Sequence, residues 1–320
     1  MMVAVDCCST DNTSKAECVP GWPIPVKRVT YTSSADSTVQ PALFFAPKTK
    51  SPVPLLVALH SWSFDYTQPD DVPYAQWCIE NNWAFMHPNF RGKNNNPGTT
   101  GSNLVIADVV SAVEYAKNCA NIDKNRIYLV GQSGGGYTAL LVAGKEPNIW
   151  AAVSAWCPII DLKAWYYERK NAGGEFERYA DEIAASCGGA PGGSPAVDAE
   201  YQKRSPITYL ANAKAVPLDL NAGIRDGHVG SVAINHTLRA FNILADEKDR
   251  ISEEDIQYFV GKTQVPPHLT RQVADSTYGD KTALFRRTSG NARVTIFDGE
   301  HEIIHKAALA WLAKQNKQNP

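Results

Sequence analysis

One stretch limits what this 320-residue chain can fold into. Ile127-Tyr128-Leu129-Val130 is a short β-type apolar run, and it meets Gly131-Gln132-Ser133-Gly134-Gly135. A run with helical character follows, from Gly136 to Gly144. This is G-x-S-x-G between a strand and a helix, the context in which the pattern acquires a physical meaning. A serine lifted on so sharp a turn presses its neighbours against the strand and the helix, so Gly131 and Gly135 must lack side chains. The turn also sets backbone N–H groups at a helix N-terminus, where developing negative charge is stabilised. The competing reading is a glycine-rich helix start with an ordinary N-cap serine.

The rest of the chain alternates. Val26–Thr32 and Thr38–Ala46 read as a β-hairpin pair, and Leu55–Leu59 as a buried parallel strand. A helix over Tyr74–Asn81, a strand over Trp83–His87, a loop to Thr100 and a helix over Asn103–Asn118 come next. Further strands are expected at Ala151–Ala155, Val216–Ala222 and Val294–Phe297. Further helices are expected near 231–245, near 252–260 and over Ile303–Lys314. This rhythm predicts an α/β fold with a mostly parallel sheet and helices on both faces. It predicts an irregular arm over 1–25 and one domain over 26–320, broken by insertions at about 163–210, read as a cap, and 262–290.

Net charge of −2 offers no electrostatic footprint for nucleic acid or an anionic membrane. No apolar run approaches the ~18 residues of a spanning helix. The start, Met1 to Cys8, has neither a basic n-region nor a long apolar h-region, so the chain is either intracellular or has lost its leader. Cys7, Cys8 and Cys18 in a polar segment read as disulfide partners. That leans the expectation towards a secreted or periplasmic protein with the signal removed.

In parallel α/β sheets ligands bind beyond the carboxyl ends of the strands. Two strand-end loops carry the groups a serine hydroxyl needs: Asp226 after Val216–Ala222, and His301 after Val294–Phe297. Asp219, His228 and His305 are the competitors. The loop after Leu55–Leu59 reads His60-Ser61-Trp62-Ser63 and is expected to supply a backbone N–H from Trp62, with Ser61 as fallback, beside the N–H of Gly134. Trp62, Trp156 and Trp165 are candidate substrate-binding aromatics, joined by Tyr166 and Tyr167 in a possible rim for a sugar or aryl ring. His301-Glu302-Ile303-Ile304-His305 also spells H-E-x-x-H, the two-histidine zinc pattern. No His, Asp, Glu or Cys follows His305 to act as a third ligand, and the motif starts at a loop tip, so no metal or other cofactor is expected.

With these residues placed, the chain resembles the catalytic domain of the prolyl oligopeptidase family within the α/β-hydrolase superfamily, over about residues 50–315. The carriers are Asn89-Phe90-Arg91-Gly92, Asp108-Val109-Val110, Asp123 to Ile127, Gly131 to Tyr137, Arg204-Ser205-Pro206 with Val216-Pro217, and Gly299-Glu300-His301. The resemblance implies a nucleophile at Ser133, an orienting acid at Asp226 and a base at His301, in the chain order of α/β-hydrolases. The family's peptidases carry a β-propeller in front and His-Gly-Gly in the loop. Here about 50 residues precede Leu55–Leu59, and the loop reads His60-Ser61-Trp62. These departures turn the expectation towards propeller-free relatives similar to acetylxylan, feruloyl and other carboxylic esterases. The expected activity is ester hydrolysis on a small-molecule or polysaccharide-linked substrate such as an acetyl, feruloyl or glucuronoyl ester. The alternatives are a small-peptide serine hydrolase and a non-catalytic binding protein of the same fold.

Overall fold

The computed structural model describes residues 19–271 and 273–317. The expected pairing of Cys7, Cys8 and Cys18 and most of the expected arm lie outside those residues. Nine strands form one sheet in the order β1-β2-β4-β3-β5-β6-β7-β9-β8. They are β1 (Lys27–Thr32), β2 (Val39–Phe45), β3 (Val53–Leu59), β4 (Ala84–Pro88), β5 (Ile122–Gln132), β6 (Ala152–Trp156), β7 (Leu218–Gly223), β8 (Ala283–Ser289) and β9 (Ala292–Phe297). The run from β4 to β9 is parallel. The β1–β2, β2–β4 and β8–β9 pairings are antiparallel.

The register explains why β3 is apolar without interruption. Leu55, Val57 and Leu59 face one core, with Leu129, Val153 and Leu220. Leu56 and Ala58 face the other, with Tyr128, Val130 and Phe297. Both faces are covered, so a period-2 pattern would expose polar groups to no water. On the first face lie α2 (Asn103–Cys119), α3 (Gly134–Lys145) and α7 (Asn235–Leu244). On the second lie α1 (Val72–Glu80) and α9 (His305–Leu312).

The two insertions are more regular than their composition suggests. Between β6 and β7 the chain forms α4 (Leu162–Ala172), α5 (Arg178–Cys187) and α6 (Pro195–Arg204). Asp161 starts α4 by accepting from the N–H groups of Lys163 and Ala164 at 2.9 and 3.1 Å. Ser194 caps α6, with Pro195 in its first turn. The glycines and prolines near 188–195 therefore punctuate helices. After α8 (Glu253–Lys262), the second insertion ends in β8, an edge strand that alternates around Phe285.

Candidate active site

Ser133 joins β5 to α3 with φ 57° and ψ −119°, a conformation L-residues avoid. The neighbouring glycines make it feasible. A Cβ on Gly131 would lie 2.4 Å from the carbonyl carbon of Gly135, and one on Gly135 2.1 Å from the oxygen of Leu59. A Cβ on Gly134 would lie 2.4 Å from the backbone nitrogen of Trp62. That close approach sets Gly134 directly against the backbone of Trp62. Gly134 is the first residue of α3, so its N–H has no intrahelical acceptor. The N–H of Ser61 is taken by Gln68 Oε1 at 2.8 Å, whereas the N–H of Trp62 has no partner among the described residues. Trp62, the first choice from the sequence, and not the fallback Ser61, holds the free donor.

His60 anchors this loop from below. It is fully buried, stacks on Phe90 at 3.9 Å, and its ring nitrogens lie 3.0 and 2.9 Å from the carbonyl oxygens of Ser61 and Asn89. Burial pulls its pKa down to about 4 despite those contacts.

Asp226 and His301 meet at the ends of β7 and β9. The His301 Nδ1 lies 2.9 Å from both carboxylate oxygens, and Asp226 Oδ1 also accepts from the N–H groups of Gly227 at 2.9 Å and Val232 at 3.2 Å. Asp226 is buried, so its charge acts on the imidazole with little screening. With Nδ1–H donating to the acid, Nε2 is left as the basic nitrogen. The Gln132 amide donates to the His301 carbonyl oxygen at 2.8 Å and ties the loop to the elbow. The Ser133 hydroxyl and His301 line the same pocket. Among the described residues no hydrogen bond joins them; the Nε2 faces Ser231 Oγ at 3.5 Å. Such bonds are often long until substrate is bound.

The competitors are occupied elsewhere. Asp219 is buried with Arg293 at 2.7 Å and Ser154 at 3.1 Å. His228 turns outwards to the Val260 carbonyl oxygen at 2.6 Å. His305 opens α9 while His301 precedes it, so the H-E-x-x-H residues do not share a helical face. His305 is partly buried: its ring packs edge-on to Tyr74 at 4.7 Å, and desolvation lowers its pKa.

The pocket has a volume of about 390 Å³. Trp62 lines it, with its indole Nε1 donating to Glu182 Oε2 at 2.7 Å. Trp165 sits one layer back, buried, donating to the Ser231 carbonyl oxygen at 2.8 Å and packing on Trp62 and Tyr179. Trp156 does not reach the pocket. It is the last residue of β6, directed into the second core against Tyr278 and Phe297, with its Nε1 on Ser154 Oγ. Tyr166 and Tyr167 also lie off the pocket lining. In their place α5 and the turn before it contribute Phe176, Arg178 and Tyr179, and the loop after β7 contributes Val229 and Ser231. No motif marks these residues; only the apolar spacing of Ala180, Ile183 and Cys187 hints at the helix that carries them.

Residues 75–260 match the model of the prolyl oligopeptidase family, more than half of the chain. The chain belongs to the prolyl oligopeptidase family. Its structure resembles the acylaminoacyl peptidase of Pyrococcus horikoshii at 18% identity and a TM-score of 0.53, covering 68% of this chain and 34% of that one. It also resembles S-formylglutathione hydrolase FrmB of Staphylococcus aureus at 16% identity and a TM-score of 0.55, covering 90% of this chain and 98% of that one. An uncharacterized protein, YfhR of Salmonella typhi, is 31% identical over 72 residues, 22% of this chain and 25% of the relative. The chain thus spans about a third of the Pyrococcus enzyme and aligns with a quarter of YfhR. As in these family and fold relatives, the sheet is that of an α/β-hydrolase of the serine-hydrolase type.

Proposed function

We propose that this member of the prolyl oligopeptidase family hydrolyses carboxylic esters through Ser133, His301 and Asp226. The observation that carries the reading is the Asp226-held imidazole lining one pocket with a serine on a left-handed turn, beside two backbone N–H groups without a partner among the described residues. Ser133 Oγ attacks the ester carbonyl as His301 Nε2 takes its proton. The carbonyl oxygen, now negative, accepts from the N–H groups of Gly134 and Trp62. His301 returns the proton to the departing alcohol. Water, activated by the same nitrogen, then releases the acid and restores the serine.

The substrate we propose is an ester on carbohydrate, acetyl, feruloyl or glucuronoyl. Trp62 in the wall and the half-buried Phe176 and Tyr179 above it offer aromatic surface for a ring. A second reading, cleavage of small peptides, draws on the family match itself and on the likeness to an acylaminoacyl peptidase. Turnover of p-nitrophenyl acetate against aminoacyl-p-nitroanilides separates the two. Faster cleavage of the acetate supports the esterase; preference for the anilides replaces it with the peptidase. A screen of acetyl, feruloyl and glucuronoyl esters then ranks the acyl groups.

A further inference from the structure

Arg178 lines the pocket, and a second guanidinium, Arg169, lies buried off the lining; the ester chemistry uses neither. Arg169 is only 5% exposed, and its Nε is buried with no hydrogen-bond partner. Among the described residues no carboxylate pairs with it. Two acids lie near enough for their charges to act on it, Glu168 and Asp226. Both are engaged elsewhere. Glu168 accepts from Asn235 at 3.0 Å and faces His236 at 3.2 Å, and Asp226 holds His301. A buried cation without a partner is costly to keep, and a bound anion is one way to offset that cost.

Its position is set by α4. One turn earlier, Trp165 bonds to the Ser231 carbonyl oxygen and stacks on Tyr179 at 5.2 Å. Arg169 follows on the same face and is close enough to Tyr179 for their charges to interact. Tyr179 and Ser231 both line the pocket. On the solvent side of Tyr179, Arg178 lies over the ring at 4.8 Å and donates to its hydroxyl at 3.1 Å and to Ser63 Oγ at 3.5 Å. Arg178 lines the pocket and likewise has no carboxylate partner among the described residues. Glu182, one turn on along the same helix, is near enough for its charge and that of Arg178 to interact, and its Oε2 accepts from the Trp62 indole.

The pocket also has acidic residues in its lining. Asp70, Glu300 and Glu302 line it; Glu302 is paired with Lys281 at 2.9 Å, and Glu300 faces Arg225 at 3.6 Å.

We propose that Arg178, with the buried Arg169 behind Tyr179, forms a subsite for a carboxylate carried by the ester substrate. On a carbohydrate ester the group that fits is a uronate carboxylate. The inference rests on the ester-hydrolase reading of the same pocket, and its test keeps the two apart.

Two pairs of substrates place the charge on either side of the scissile bond: mono-4-nitrophenyl adipate against its methyl ester, and 4-acetoxybenzoate against its methyl ester. In at least one pair kcat/KM is expected to favour the charged member by about tenfold, the scale of one charge-assisted hydrogen bond. Arg178→Met and Arg169→Met each bring that ratio towards one, and Arg178→Lys keeps part of it. Should Arg169→Met fail to fold, the rim variant Arg178→Met decides. Binding of 4-acetamidobenzoate to Ser133→Ala protein, followed by calorimetry with and without Arg178→Met, asks the same question without turnover. Turnover with neutral esters preferred in both pairs, or ratios that both arginine variants leave in place, overturns the subsite while the esterase stands. Binding that depends on Arg178 in a protein that turns over no ester leaves the subsite standing and removes the esterase.

Discussion

The floor of the pocket is set by backbone, its cap wall by side chains. At the floor, Ser133 is held at φ 57° by the packing of glycines against Leu59 and Trp62, and both proposed oxyanion donors are main-chain N–H groups. At the wall, three helices inserted between β6 and β7 bring Arg178, Tyr179 and Phe176 over the site through stacked rings and single hydrogen bonds. The floor tolerates almost no substitution, because a methyl group there meets backbone. The wall can change its residues while the sheet below keeps its register. On the proposed function, reaction type and substrate choice would thus reside in parts of the chain under different constraints.

Substitutions in the floor should therefore cost far more than substitutions in the wall. Ser133→Ala and His301→Ala are expected to lower kcat for p-nitrophenyl acetate by about 10⁵–10⁶-fold, with unfolding midpoints near that of the parent. Asp226→Asn keeps the shape but reverses the hydrogen bond to Nδ1, so the same assay should show a loss of about 10⁴-fold. Gly134→Ala drives a methyl against the Trp62 backbone, 2.4 Å away, and should cost about 10²–10³ in kcat by displacing one donor. If Gly134→Ala is active at the parental rate, the floor is not built as described.

Much of the floor could be read from the chain alone, and little of the wall. The elbow was legible because its physics is local: strand, glycines, serine and helix are contiguous in sequence. Asp226 and His301 were legible because each lies in the short loop after an apolar run that had to be a strand. The choice of Trp62 over Ser61 followed from loop position, while its cause, Gln68 occupying the Ser61 N–H, needed coordinates. The insertion that forms the wall was read as a cap, but its residues were not legible. Gly188 to Pro195 dilutes the helical signal of α5 and α6, and Arg169, Arg178 and Tyr179 converge only once those helices pack. Trp156 shows the opposite failure: an aromatic at a strand end suggested a rim, yet the pleat turns it into the core.

In the wall, Trp165→Ala removes a buried ring that holds Trp62, Tyr179 and the Ser231 loop together. Chemical denaturation should show a loss of about 3–5 kcal/mol, with kcat falling far less than in any floor variant. A kcat loss equal to that of Asp226→Asn would erase the distinction between floor and wall. The smallest effect concerns His60 beneath the Trp62 loop. Its folded pKa of about 4 lies below the ordinary histidine value of 6.5, so the unfolded chain binds the extra proton between those values. Stability is complete above pH 6.5 and is lost as the pH falls towards 4, by at most about 1.4 kcal/mol per pH unit from this group. Denaturation curves of the parent and His60→Asn across that range should differ in slope.

The central claim is that one hydroxyl among many is made nucleophilic by a distant imidazole. Labelling with a fluorophosphonate probe, followed by peptide mapping, tests it directly. A single adduct is expected at Ser133 in the parent, and none in folded His301→Ala protein over the same time. No adduct in the folded parent, or equal labelling with and without the imidazole, would contradict it.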